Sequence, residues 1–337
     1  MNTTLKYLAI PLSTLFLISC GGGSSNNNSN NDDVVIEPPP PQNTSFNLNI
    51  SDAPVDDAEA VVITIESVTF KREDTDDVVF ETFNNEAEGI IDADTVTIDL
   101  LQYQGNDQFT ILEGKEIPPG TYEQTIIEVL DEDLELSYVT EIGGENKSIK
   151  VPSDNLKLGG VTFSEGEENQ AFTVEFSLRK SMTYKPGPDE YNLKPSGVRI
   201  VETSNTGVLS GTVDIDVINQ DLNCLNDSHI VYLYEGHSLS ENLLVDSFDN
   251  EENDAPENAI VPFDAVAPAF DNDTNSYRYE IGFIPTGNYT VAYACNTGEE
   301  GDDPEDYDEI MIPNPSGQIS EISITSTETT IHDFPIL

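Results

Sequence analysis

Phe172-Thr173-Val174-Glu175-Phe176-Ser177-Leu178-Arg179 alternates strictly: Phe172, Val174, Phe176 and Leu178 face one way, and Thr173, Glu175, Ser177 and Arg179 the other. Period two with one apolar face is the pattern of a strand that lays one side on a core and wets the other. The pattern recurs. Val213, Ile215 and Val217 alternate with Thr212, Asp214 and Asp216, and Tyr277, Tyr279, Ile281 and Phe283 alternate with Arg278, Glu280 and Gly282. Tyr289, Val291, Tyr293 and Cys295 share a face of the last clear strand. Turn signals separate the runs at Gly143-Gly144, Gly159-Gly160 and Pro186-Gly187-Pro188. No window of similar length carries a strong 3.6-residue period. The reading is an all-β chain of two antiparallel β-sandwich domains, with one or two short helices at most.

Length and charge bound what such a body can do. The chain has 337 residues, enough for two domains and two cores. Sixty-four Asp and Glu against 13 Lys and Arg give a formal charge of −51, which excludes a nucleic-acid binder because a phosphate backbone needs a basic partner. The same charge excludes electrostatic docking on anionic lipid. A 37% apolar fraction is too high for a disordered acidic tail.

Ile117-Pro118-Pro119-Gly120-Thr121-Tyr122 and Ile284-Pro285-Thr286-Gly287-Asn288-Tyr289 open strands in the same way. Proline presets the turn, glycine relaxes the backbone, and tyrosine begins the strand as an inward anchor. The echo predicts two related modules, 44–204 and 207–337, divided at the Thr-Ser-Asn-Thr-Gly stretch 203–207. Charge changes there too: residues 147–199 hold eight of the 13 bases, while 200–337 hold only Arg278 against 28 acids.

Residues 1–19 read as a signal peptide, with Lys6 before an apolar run from Tyr7 to Ile18, too short to span a bilayer. Leu17-Ile18-Ser19-Cys20 resembles the lipobox of bacterial lipoproteins, which implies that Cys20 becomes a fatty-acylated first residue after cleavage. Residues 20–43, rich in Gly, Ser and Asn and ending in Pro38 to Pro41, then form a tether with too little apolar content to fold. Gly21 after the cysteine resembles the outer-membrane sorting pattern, so the expected place is the cell envelope, with the side the body faces left open. Two cysteines remain, Cys224 and Cys295, in a compartment where disulfides form. A bridge between them and a pair of buried thiols are both open readings.

A wider resemblance covers about residues 45–203. Ser51-Asp52-Ala53-Pro54-Val55-Asp56-Asp57-Ala58 running into Val61 to Val68, then Thr97-Ile98-Asp99-Leu100-Leu101, the Pro-Pro-Gly-Thr-Tyr turn, Leu178-Arg179-Lys180-Ser181 and Tyr191-Asn192-Leu193-Lys194-Pro195 are together similar to the bacterial family catalogued as domain of unknown function 4382. That resemblance implies an exported β-rich domain with no assigned activity. Residues 208–337 resemble, at the level of fold, the transthyretin-like sandwiches of exported proteins.

Catalytic patterns are sparse. Ser177-Leu178-Arg179-Lys180 and Ser153-Asp154-Asn155 match two motifs of penicillin-recognising enzymes, but in reversed order, without the Lys-Thr-Gly motif, and with Ser177 on an expected wet face. His229, His237 and His332 show no metal-ligand spacing. Between Glu299 and Glu309 eight of eleven residues are acidic, and Asp271-Asn272-Asp273 begins like a calcium loop but lacks its glycine and bidentate glutamate. Asp302, Asp303, Asp306 and Asp308, with Asp271 and Asp273, are the candidate ligands for a weak Ca²⁺ site, and the competing reading is a hydrated acidic surface. Two functions follow. One is a non-catalytic structural or binding protein held to the membrane by its lipid, with a protein or glycan partner. The other is an envelope polysaccharide hydrolase, which requires a cleft with paired carboxyls, one of them raised in pKa.

Overall fold

The computed structural model describes residues 42–53, 58–73, 75–153, 155–220, 224, 229–248, 255–295, 297 and 307–336. Cys20, Asp302, Asp303 and Asp306 lie outside them. The described chain is mainly β-strand. In the first sandwich one sheet runs in the order Val198–Glu202, Gln170–Ser177, Thr44–Ala53, Phe109–Ile117. Its two central strands are parallel, and the outer pairings are antiparallel. The opposing nine-stranded sheet is organised on the long strand Ala58–Lys71. Phe46, Leu48, Ile50, Phe172, Val174 and Phe176 of the first sheet share a core with Ile63, Ile65, Val68 and Phe70 of the second. Edge-to-face rings at its centre, including Phe46 on Phe163 at 4.9 Å and Phe70 on Phe163 at 5.2 Å, add directional packing to the burial.

The second sandwich faces the sheet Ala269–Asp271, Ser276–Pro285, Thr206–Val213, Thr329–Ile331 against the sheet Asp264–Val266, His229–Glu235, Gly287–Cys295, Ile319–Ile324. Leu209, Val213, Ile281 and Ile284 meet Val231, Leu233, Val291 and Tyr293 between them. Cys224 and Cys295 form a disulfide in this core, with Cα atoms 5.2 Å apart. The reverse face of Gly287–Cys295 is buried as well, because Ala292 and Ala294 pack with Ile230, Tyr232, Leu244 and Ile312 in a separate apolar layer. Among the described residues no helix is long and apolar enough to cross a membrane.

The repeated turn is a hydrogen-bonded corner in both sandwiches. Tyr122 donates its hydroxyl to Pro118 O and Tyr289 donates to Pro285 O, each at 2.9 Å and four residues back. Burial pushes the Tyr289 hydroxyl up to about 12, with Glu235 adding to the effect, so it remains a donor at any ordinary pH. Tyrosine thus fills the core with its ring and satisfies a turn carbonyl with its hydroxyl.

The local patterns mislead in three places. Alternation through Val213, Ile215 and Val217 predicts one strand, yet the strand ends at Val213 and a helix occupies Ile215–Gln220. Asp214 turns the chain by accepting from the Asp216 amide, and consecutive Val217 and Ile218 are then both buried, as a helix allows and a one-sided strand does not. In Ser276–Pro285 the alternation slips after Ile281. Phe283 takes φ +46°, the pairing with Thr206–Val213 shifts register, and Ile284 takes the core position. The third departure is the polar face of the Gln170–Ser177 strand. Thr173, Glu175 and Ser177 are fully buried, not wet.

Candidate functional site

Thr173 on that face meets Thr203 Oγ1 at 2.8 Å within the first sandwich, while the end with Glu175 and Ser177 is covered by the second. Pairing across the sheet sets Ser51 beside Glu175 and Glu175 beside Arg199, so hydroxyl, carboxyl and guanidinium line up on three neighbouring strands. From the second sandwich comes Asp264, the first residue of the Asp264–Val266 strand and itself fully buried. Its Oδ1 accepts from Ser177 Oγ at 2.7 Å and from the Ala265 amide at 2.9 Å, and its Oδ2 accepts from Arg199 Nη1 at 3.0 Å. Arg199 Nη2 also donates to Gly282 O at 3.4 Å, and the guanidinium carbon lies 4.8 Å from the Phe263 ring centroid. A single arginine therefore ties the sheet edge of one sandwich to a carboxylate, a carbonyl and an aromatic face of the other.

Three further contacts complete the junction. The Asn106 amide donates to Glu280 Oε1 at 3.0 Å. Gly282 lies so close to the Gly105 carbonyl that a Cβ at 282 would sit 1.9 Å from that oxygen, so only glycine permits the approach. Lys180 completes the set: Nζ donates to Phe263 O at 3.5 Å and lies 5.3 Å from the Phe248 ring centroid. Burial lowers its pKa, and Asp264 opposes that shift.

Glu175 is held here with little support for a charge. Burial pushes it up to about 8, against the pull of Arg199 and with the help of Asp264. Asp52, paired with Phe176 near the end of the adjoining strand, is likewise raised well above the usual carboxylate range, first by burial and then by Glu175 and Asp264. Leu178 and Gln104 pull Asp52 the other way, yet among the described residues neither oxygen of Asp52 or of Glu175 has a hydrogen-bond partner of good geometry. Ser51, beside Glu175, has one hydroxyl hydrogen, and its shortest contact is to Asp107 O at 2.7 Å.

Ser177 N-caps a one-turn helix, Leu178–Ser181, which places Lys180 one turn on. This arrangement departs from the exposed-strand expectation, but it does not make a nucleophile. Ser177 is fully buried and gives its hydroxyl to Asp264 Oδ1. His229 meets the Tyr293 hydroxyl at 2.8 Å through Nδ1, and His237 meets Ile322 O at 2.8 Å through Nε2. Burial lowers His332, which packs edge-on against Phe334 at 4.7 Å.

The candidate calcium ligands are not drawn together in the described part of the chain. Asp271 accepts from the Asp273 amide at 2.8 Å and from Thr274 Oγ1 at 2.9 Å, and pairs with Arg278 at 2.6 Å. Those hydrogen bonds hold its carboxyl below the ordinary range. Asp308 is exposed, and its amide donates to Asp246. Among the described residues no group of three or more His, Cys, Asp or Glu side chains is placed to hold a metal ion.

Sequence reasoning missed the junction because its members are scattered. Ser177 and Asp264 are 87 positions apart, and Arg199 and Asp264 are 65 apart. The faint signal was Glu175 between Val174 and Phe176 in an alternating strand, paired by register with one of the chain's few arginines.

Comparison with known proteins agrees with the first sandwich. The model of the family described as "Domain of unknown function (DUF4382)" matches residues 43–195, so this part of the chain is similar to that family. No curated protein sequence matches the chain. Among solved structures, it is similar to the minor pilin GBS52 of Streptococcus agalactiae, at 9% identity and a TM-score of 0.20, covering 86% of this chain and 94% of that one. The TIE protein of Bacillus anthracis gives 10% identity and a TM-score of 0.18, over 86% of this chain but only 34% of that one. The tip fimbrial protein Mfa3 of Porphyromonas gingivalis gives 8% and 0.18, over 83% and 81%. At such scores these likenesses carry no argument about function.

Proposed function

We propose that the protein is a lipid-anchored component of the bacterial cell envelope whose two sandwiches serve a structural or binding role without catalysis. The anchor reading rests on the lipobox-like Leu17-Ile18-Ser19-Cys20 and the Gly/Ser/Asn/Pro tether behind it. One observation carries the non-catalytic reading. A polysaccharide hydrolase needs a raised carboxyl that meets substrate, and the two most strongly raised carboxyls among the described residues, Asp52 and Glu175, have no exposed surface. Their position inside a joint makes them part of what holds the body together.

The test has two arms. Mass spectrometry of the mature N-terminus and membrane fractionation, for the wild type and Cys20→Ala, should show a diacylated thiol and envelope retention only in the wild type. An unmodified thiol on freely soluble material removes the anchor. Purified protein incubated with envelope polysaccharides should release no sugar, while pull-downs from detergent-solubilised envelopes and a glycan array identify the partner. Sugar release abolished by Glu175→Gln would restore the hydrolase.

A further inference from the structure

Charge accounting in the junction gives an unusual result. Asp52, Glu175 and Asp264 all have no exposed surface, and the nearby cations are Arg199 and the partly buried Lys180. Arg199 is committed to Asp264 at 3.0 Å through Nη1 and to Gly282 O through Nη2, which leaves Glu175 Oε1 a contact of 3.6 Å. An ionised carboxylate in such a place lacks the donors that would replace its water shell, whereas the neutral acid does not need them.

We propose that the joint between the two sandwiches is a proton-held clasp, in which Glu175 stays protonated while they are docked and a rise in pH, by favouring its ionisation on opening, lets them separate. The groups that face Glu175 come from every element packed around it. They are Asp52 from its own sheet, Arg199 from the adjoining edge strand and Asp264 from the second sandwich, while Lys180 from the one-turn helix acts on Asp264 and Arg199. Glu235 acts through Lys180, and Glu280 bonds Asn106 in a second contact between the sandwiches.

The direction follows from where the proton is bound. Docked, Glu175 titrates at about 8, and undocked in water it returns toward 4.5. Between those values opening releases a proton. Docking is therefore at full strength below about pH 4.5, weakens up to tenfold for each pH unit above that, and stops weakening past about pH 8. Raised Asp52 acts in the same direction.

Hydrogen exchange of the full mature chain from pH 5 to 9, corrected for the intrinsic pH dependence of exchange, reads the clasp directly. The amides of Asn106 and Ala265, which bond Glu280 and Asp264 inside the joint, should lose protection up to tenfold per pH unit between pH 5 and 8. Amides of the central Ala58–Lys71 strand should keep theirs. Glu175→Gln should flatten the loss at the joint. Small-angle scattering of the wild type, which needs no variant, should show a larger maximum dimension at pH 9 than at pH 6. Equal slopes in wild type and variant, joint and core amides failing together, or an unchanged maximum dimension would each overturn the clasp.

Discussion

Replacing Arg199 with methionine should be among the most damaging single changes outside the two cores. Methionine keeps an apolar stem of similar reach, so the packing changes little and the loss is that of the charged head. Asp264 keeps two donors, Ser177 Oγ and the Ala265 amide, but loses the cation that sits 3.0 Å from Oδ2. Removing Arg199 strands a fully buried carboxylate, and because the guanidinium itself keeps 19% exposure the cost is at the lower end for a buried pair, about 3 kcal/mol. Loss of the guanidinium over Phe263 adds about 1 kcal/mol. Against a domain stability of roughly 5–15 kcal/mol, a loss of about 4 kcal/mol is large. Urea denaturation at pH 7, followed by circular dichroism because the chain has no tryptophan, measures it. The double variant Arg199→Met with Asp264→Asn removes both charges, and it should recover all but about 1–2 kcal/mol, as a coupled pair requires. A single variant within 1 kcal/mol of wild type, or a double variant whose cost equals the sum of the singles, would refute the assignment of Arg199 as the central tie.

The other expectations are local. Tyr122→Phe and Tyr289→Phe each keep a buried ring but strip the donor from Pro118 O or Pro285 O. Each should cost about 1 kcal/mol in the same denaturation experiment, and the two losses should add because they lie in different cores. A loss below 0.3 kcal/mol in both, on the order of the error in such additions, would reduce the corners to ring packing alone. Cys224→Ser with Cys295→Ser opens a closure spanning 71 residues, which chain entropy values at about 4 kcal/mol. Thermal denaturation with and without reductant should show that loss in the wild type and no reductant effect in the variant.

Much of the fold was legible in the chain itself, element by element. Strict alternation in Phe172 to Phe176 placed Phe172, Val174 and Phe176 in the core, where the structure puts them. Both Pro-x-Gly-x-Tyr turns announced their corners, since proline and glycine limit the backbone and tyrosine must find an acceptor once buried. The helix at Ile215–Gln220 was hidden because six residues are too few to separate the two periods. The slip at Phe283 was hidden for a different reason, because a bulge inserts a residue without changing composition. The acids Glu299 to Glu309 attracted attention by their number alone, while the carboxyls with the most perturbed chemistry, Asp52 and Glu175, stood singly in apolar strands.

What the sequence by itself determined is which residues share a face: strand geometry sends neighbours to opposite sides whatever surrounds them. Only the tertiary structure decided what covers that face. Glu175 and Ser177 carry the polarity of a solvated surface, and they are buried where Asp264, from far along the chain, accepts from Ser177 and from Arg199 beside Glu175. Polarity is written into each residue, but solvent exposure belongs to the assembled body. A carboxyl's charge follows its exposure, so no local pattern could assign the state of Glu175.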